Sequence, residues 1–167
     1  MEVKWMKKYF KWILLFIILI IIFKFSINTH SINKGISKSL GIKIPENIRV
    51  EYEDTHGGFH GDGDLVAKVK FEEEKSEKIL IQIKNNPNWK PLPLTKNTEI
   101  ALYQFYGLAE KVNMPKIDKG YWFFVDRFGG EIMDSDDAKL LSRNSANFTV
   151  GIYDTENNIL YYYELDT

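Results

Sequence analysis

The sequence predicts an α+β fold: an N-terminal transmembrane helix followed by a small domain whose antiparallel sheet, with elements in the order β-β-α-α-β-β-β, carries helices on one face. Three observations lead there. Residues 12–23, WILLFIILIIIF, are twelve consecutive apolar positions behind Lys7, Lys8 and Lys11. From residue 47 onward, short stretches alternate apolar and polar residues with the period of half-buried strands, and two stretches between them carry helical signals. The composition, 44% apolar and 27% charged, is that of an ordinary globular protein with room for one core.

The N-terminal segment comes first. Taken strictly, its apolar run covers roughly 18 Å, against a hydrocarbon core of about 30 Å. Extended to residues 9–27 it reaches about 28 Å, if Lys11 and Lys24 snorkel their amines to the two interfaces. Three readings compete. A soluble core helix is disfavoured because the run is apolar on every face. A cleaved signal peptide has the right charged and apolar regions, but KFSINTHSINKG, which follows, offers no A-x-A-like site and no lipobox cysteine. A signal anchor remains, with Trp5, Tyr9, Phe10 and Trp12 as an aromatic belt. The expected organisation is a basic cytoplasmic tail (1–8), a single-pass anchor in the lipid bilayer (9–27), a tether (28–46) with a short helix around 36–40, and an extracytoplasmic domain (47–167) outside the cell membrane. The orientation rests on the four lysines that precede the span.

In the domain, residues 48–54, IRVEYED, set Ile48, Val50 and Tyr52 against Arg49, Glu51 and Glu53, and residues 64–71, DLVAKVKF, alternate in the same way. These two strands form a hairpin. Its loop, DTHGGFHGDG, is long for the task, so part of it is expected to extend the ladder, with glycines supplying bulges or positive φ. Residues 72–85 read as a helix, with acids early, lysines later and an apolar stripe of Ile79, Leu80 and Ile83. Pro87, Pro91 and Pro93 force an extended connector, NPNWKPLPL. Asn97 is a candidate cap for a helix over 98–111. Residues 120–128, GYWFFVDRF, form a strand, 134–141 a short helix, and 146–153 with 159–165 a second hairpin around Asn157 and Asn158. The aromatic runs at 121–124 and 161–163 read as core rather than a ligand platform, because successive strand residues face opposite ways.

Charge and cysteine content exclude several classes. Residues 1–27 hold five lysines against Glu2, which leaves 17 of the 22 basic and 22 of the 23 acidic side chains to the remainder. An acidic domain without an arginine-rich stripe lacks the surface that drives nucleic-acid affinity. The absence of cysteine removes disulfides, thiolate metal sites, a cysteine nucleophile and lipidation through cysteine. Abundant Ile, Lys and Asn with little Arg fit an AT-rich Gram-positive genome.

The loop over 54–63 packs four glycines, two histidines and two aspartates into ten residues. Asp54, His56, His60, Asp62 and Asp64 together offer nitrogen and oxygen donors of the kind a divalent metal takes, with His56, His60, Asp62 and Asp64 as the candidate ligand set. The spacing is neither H-E-x-x-H nor a regular calcium loop. No serine elbow or zinc signature accompanies the histidines. A structural or binding hairpin, a metal or ligand site and a catalytic centre all remain open, in that order.

At DTHGGFHGDG, NPNWKPLPL and NFTVGIYDTENNILYYYELDT the chain resembles a family of small uncharacterised membrane-anchored proteins and lipoproteins of bacilli and clostridia, over about residues 48–167. It differs from the lipoprotein members in having no lipobox cysteine. The resemblance implies membrane attachment and gives no residue a role. The functional expectation is a single-pass protein whose outer domain binds a protein, peptide or envelope component, a binding module more than an enzyme. The alternatives are a metal-dependent envelope hydrolase using residues 54–64 and a membrane-held immunity factor.

Overall fold

The computed structural model describes residues 2–57, 61–128 and 136–167, with the backbone alone described at 2–8, 11 and 21–31. Helix α1 (Glu2–Leu40) leads into six strands: β1 (Val50–Asp54), β2 (Gly63–Lys70), β3 (Trp89–Pro91), β4 (Gly120–Asp126), β5 (Phe148–Asp154) and β6 (Ile159–Asp166). They form one antiparallel sheet in the order β1-β2-β6-β5-β4-β3. The α+β class and both foreseen hairpins are therefore present. The sixth strand, β3, lies inside the proline-rich connector, where Trp89 pairs opposite Phe123.

Helices cover both faces of the sheet, which corrects the one-face expectation. On one face Ile36 and Leu40 of α1, Ile42, Ile44, and Ile79 and Ile83 of α2 (Glu73–Asn85) pack with Val69, Phe123, Tyr153 and Tyr162. On the other, Ala101, Leu102, Leu108, Ala109 and Leu140 pack with Val66, Phe124, Val150, Tyr161 and Tyr163. The reason is in the strands: all seven residues of β5 are buried, and so are Trp122 to Val125 and Tyr161 to Tyr163. Apolar residues at consecutive strand positions point to alternate faces, so such a run needs cover on both. Each large apolar side chain buried this way contributes about 1.5–3 kcal/mol.

The expected transmembrane helix is also corrected: among the described residues no helix is long and apolar enough to cross a membrane. The uninterrupted apolar run spans roughly 18 Å of a hydrocarbon layer about 30 Å thick, and Lys11 and Lys24 close it at both ends. The helix expected around 36–40 is the end of a longer one, which runs without a break from Glu2 to Leu40. Its last turns belong to the core. Gly151 on β5 makes room for them, since a Cβ there would stand 2.8 Å from Leu40 Cδ2 and 3.0 Å from Trp89 Cη2. Trp89 Nε1 donates to Leu40 O at 3.1 Å and Asn86 Nδ2 to Gly41 O at 3.2 Å, satisfying carbonyls that the helix end leaves open. Asn33 Nδ2 donates to Ile48 O at 3.0 Å and fastens the helix to the approach to β1.

The helix expected over 98–111 is divided. α3 (Lys96–Ile100) passes into a π-helical turn (Ala101–Phe105), and after Gly107, at φ +62°, α4 (Leu108–Lys111) begins. Glycine adopts that left-handed conformation without steric cost, and the axis changes there. Thr95, rather than Asn97, caps α3, and Asp137 reinforces the cap by accepting from Thr98 N at 3.1 Å. In the short helix expected over 134–141, residues 134 and 135 lie outside the described residues, and Ala138 to Leu141 form turns.

Candidate functional site

The hairpin β1–β2 and the end of β6 meet at one corner of the sheet, and most of the predicted loop residues lie there. The ladder continues past the strands: Thr55 N donates to Asp64 O at 2.9 Å and Gly57 N to Asp62 O at 3.3 Å. The loop is therefore shorter than its ten residues imply, as its glycines suggest. Gly63 is needed for the fit, because a Cβ there would stand 2.5 Å from the backbone N and Cα of His56.

His56 is half-buried between two carboxylates. Its Nδ1 lies 2.8 Å from Asp54 Oδ1, which also accepts from the His56 backbone N–H at 3.0 Å. Its Nε2 lies 3.3 Å from Asp166 Oδ2, outside hydrogen-bond geometry. Arg127 neutralises that side, with Nη1 2.9 Å from Asp166 Oδ1 and 3.4 Å from Glu164 Oε1. Its Nη2 donates to Phe148 O and Leu165 O, both at 3.2 Å, and so crosses from β5 to β6.

Asp64 belongs to the opposite face. Its carboxylate accepts from Lys111 of α4 and from the Thr55 hydroxyl, and its backbone N–H donates to Thr55 Oγ1 at 2.9 Å. Burial pushes this carboxyl up, but the Lys111 and Thr55 hydrogen bonds together outweigh it and hold it below its ordinary value. Asp62 is exposed, and His60 lies outside the described residues. Of the candidate ligands, His56 and Asp64 are held apart: His56 faces Asp166 on one side of the sheet, while Asp64 faces α4 on the other. Among the described residues no group of three His, Cys, Asp or Glu side chains is placed to hold a metal ion. The described neighbour of His56 Nε2 is an arginine-paired carboxylate. What the cluster does is pin the hairpin end to β6 and β4.

Asp166, Arg127, Glu164 and Lys111 were not anticipated. The signal that would have found Asp166 is the register of β6 against β2, which sets Gly63 opposite Asp166. That register is a long-range pairing and is invisible to local periodicity.

Beside this corner runs the β1 edge. Four of its five residues, Glu51 to Asp54, are exposed, and β1 has a neighbour on one side alone. Because Thr55 turns its N–H toward β2, alternation sends the N–H and C=O of Glu53 and Glu51 the same way and those of Tyr52 and Asp54 outward. Next to the edge, a groove of about 520 Å³ is lined by Arg49, Glu51, Lys68, Lys70, Lys75 and Ile159, among others. The aromatic runs, by contrast, are core: Tyr161, Tyr162 and Tyr163 are all buried, and burial pushes the Tyr163 hydroxyl well above its ordinary value. No family model, curated protein or solved structure matches the chain.

Proposed function

We propose that the chain is a binding domain held at a lipid surface, and that it takes up an extended segment of a partner along the β1 edge. The observation that carries this reading is the open edge itself, braced at one end by the His56 cluster. Outward backbone groups at Tyr52 and Asp54 provide the donors and acceptors that strand addition uses. The bonds from Thr55 N to Asp64 O and from Gly57 N to Asp62 O hold β1 in place, so little of this chain's entropy is lost when a strand docks.

Attachment to lipid is supported by α1. Tyr9, Phe10 and residues 12–20 are all exposed, Phe10 by 66% and Trp12 by 65%, an apolar surface continuous around the helix. Such a surface is covered in a working protein, and the flanking lysines suit an anionic lipid headgroup layer.

A library of random ten-residue peptides, selected on the full chain in detergent micelles and retested on Tyr52→Pro, examines the edge. Binders that lose affinity for Tyr52→Pro support strand addition, and binders indifferent to it refute it. Co-sedimentation with phosphatidylglycerol-containing vesicles examines the lipid contact. Retention lost in an Ile13→Lys/Ile17→Lys/Ile20→Lys variant supports it, and retention unchanged refutes it.

A further inference from the structure

We infer that the segment taken up by β1 carries cations at alternate positions with apolar residues between them, a basic β-forming stretch of a partner protein. This rests on the strand-addition reading above and specifies its ligand. The side chains of β1 alternate, so Glu51 and Glu53 share one face of the sheet and Tyr52 points to the other. Arg49, Lys68, Lys70 and Lys75 line the groove on Glu51's side, yet none of them closes onto either glutamate. Glu53 stands opposite Val66 on β2, and Glu51 opposite Lys68, whose amine instead lies 5.8 Å above the Tyr161 ring. Neither forms an ion pair among the described residues. A strand added on the outer side would bring its residues into direct apposition with these two acids at positions i and i+2, the arrangement in which opposite charges attract across strands. The residue between them would lie beside exposed Tyr52, where an apolar or β-branched side chain packs.

The same charges disfavour a second copy as the occupant. Antiparallel self-pairing about Tyr52 would set Glu51 opposite Glu53 on both sides of the axis, and like charges directly opposed are repulsive. In that register the edge repels its own copy, while the two acids attract a strand that carries cations opposite them.

The test uses the full 167-residue chain in detergent micelles at low salt with three labelled peptides, KVKVKV, EVEVEV and KKKVVV, read by fluorescence anisotropy. The expected result is that KVKVKV binds at least about tenfold more tightly than either of the others. A Glu51→Lys/Glu53→Lys variant should transfer the preference to EVEVEV. Amide exchange at Tyr52 and Asp54 should slow when KVKVKV is bound to the unaltered chain, a readout that needs no variant to fold. Equal binding of KVKVKV and KKKVVV, or a preference for EVEVEV by the unaltered chain, overturns the alternating-cation inference. If Tyr52→Pro still abolishes that binding, the edge reading survives it. Unchanged exchange at Tyr52 and Asp54 with every peptide, together with indifference to Tyr52→Pro, overturns the edge reading itself. A dimer that disperses on Tyr52→Pro identifies a second copy as the occupant and overturns the inference as well.

Discussion

At the β3 edge of the sheet the outward N–H of Trp89 is spent on Asn86 O at 3.1 Å, and Pro91, the next outward position, has none to offer. Leu92 N donates inward to Gly120 O at 3.0 Å, which places the N–H of Lys90 on the ladder side. At the β1 edge, 5 residues long and free of proline, the outward groups of Tyr52 and Asp54 meet no strand. One sheet therefore has one edge whose outward N–H groups are used or absent and one whose outward N–H groups, at Tyr52 and Asp54, meet no strand. The difference teaches how an edge is blunted: a local turn and a proline remove the donors at β3, whereas β1 carries the acidic side chains of Glu51 and Glu53 instead.

Four substitutions break or sharpen this contrast. The largest effect is expected for Trp89→Ala, which removes the ring seated beside Gly151 and Phe123 and the donor to Leu40 O, and should cost about 3–5 kcal/mol in denaturant unfolding. Next, Lys90→Pro deletes an inward ladder bond at the closed edge and should cost about 1–3 kcal/mol. Third, Asp64→Asn weakens the contact with Lys111 and should cost about 1–2 kcal/mol near neutral pH, since Lys111 is partly exposed. Because the Asp64 carboxyl is held below its ordinary value in the folded chain, its contribution is complete above about pH 4, where the unfolded carboxylate is ionised, and is lost as pH falls through the folded value. Acid titration of stability should accordingly be shallower in Asp64→Asn. The smallest effect is expected for Tyr52→Pro, which removes an N–H that no ladder uses and should change stability by less than about 1 kcal/mol while blocking the edge. A large loss for Tyr52→Pro, matching Lys90→Pro, would show that the two edges do not differ as described.

Both hairpins were legible because period-two alternation and turn residues such as Asn157 and Asn158 are local signals. The helix at Glu73–Asn85 was legible for the same reason, through its stripe of Ile79 and Ile83. What was not legible is non-local. Arg127 and Asp166 lie 39 residues apart and meet because β5 connects β4 to β6 in the sheet. The division of α3 from α4 turns on the single left-handed residue Gly107 within a stretch that reads as one helix behind the Asn97 cap candidate. Covering both faces required adding up apolar side chains across β4, β5 and β6, which no single window displays. For the candidate site, the motif correctly marked a constrained hairpin end, but its residue types could not say that His56 and Asp64 point to opposite sides.

The unbroken course of α1 has a mechanical consequence. Thirty-nine residues of helix extend about 58 Å, and the last turns are clamped by Asn33, Trp89 and Asn86. A domain fixed to such a strut does not sweep a hemisphere as it would on a slack leash. On the lipid and strand-addition readings proposed above, such a strut would hold β1 at a set height over the surface that takes the apolar turns.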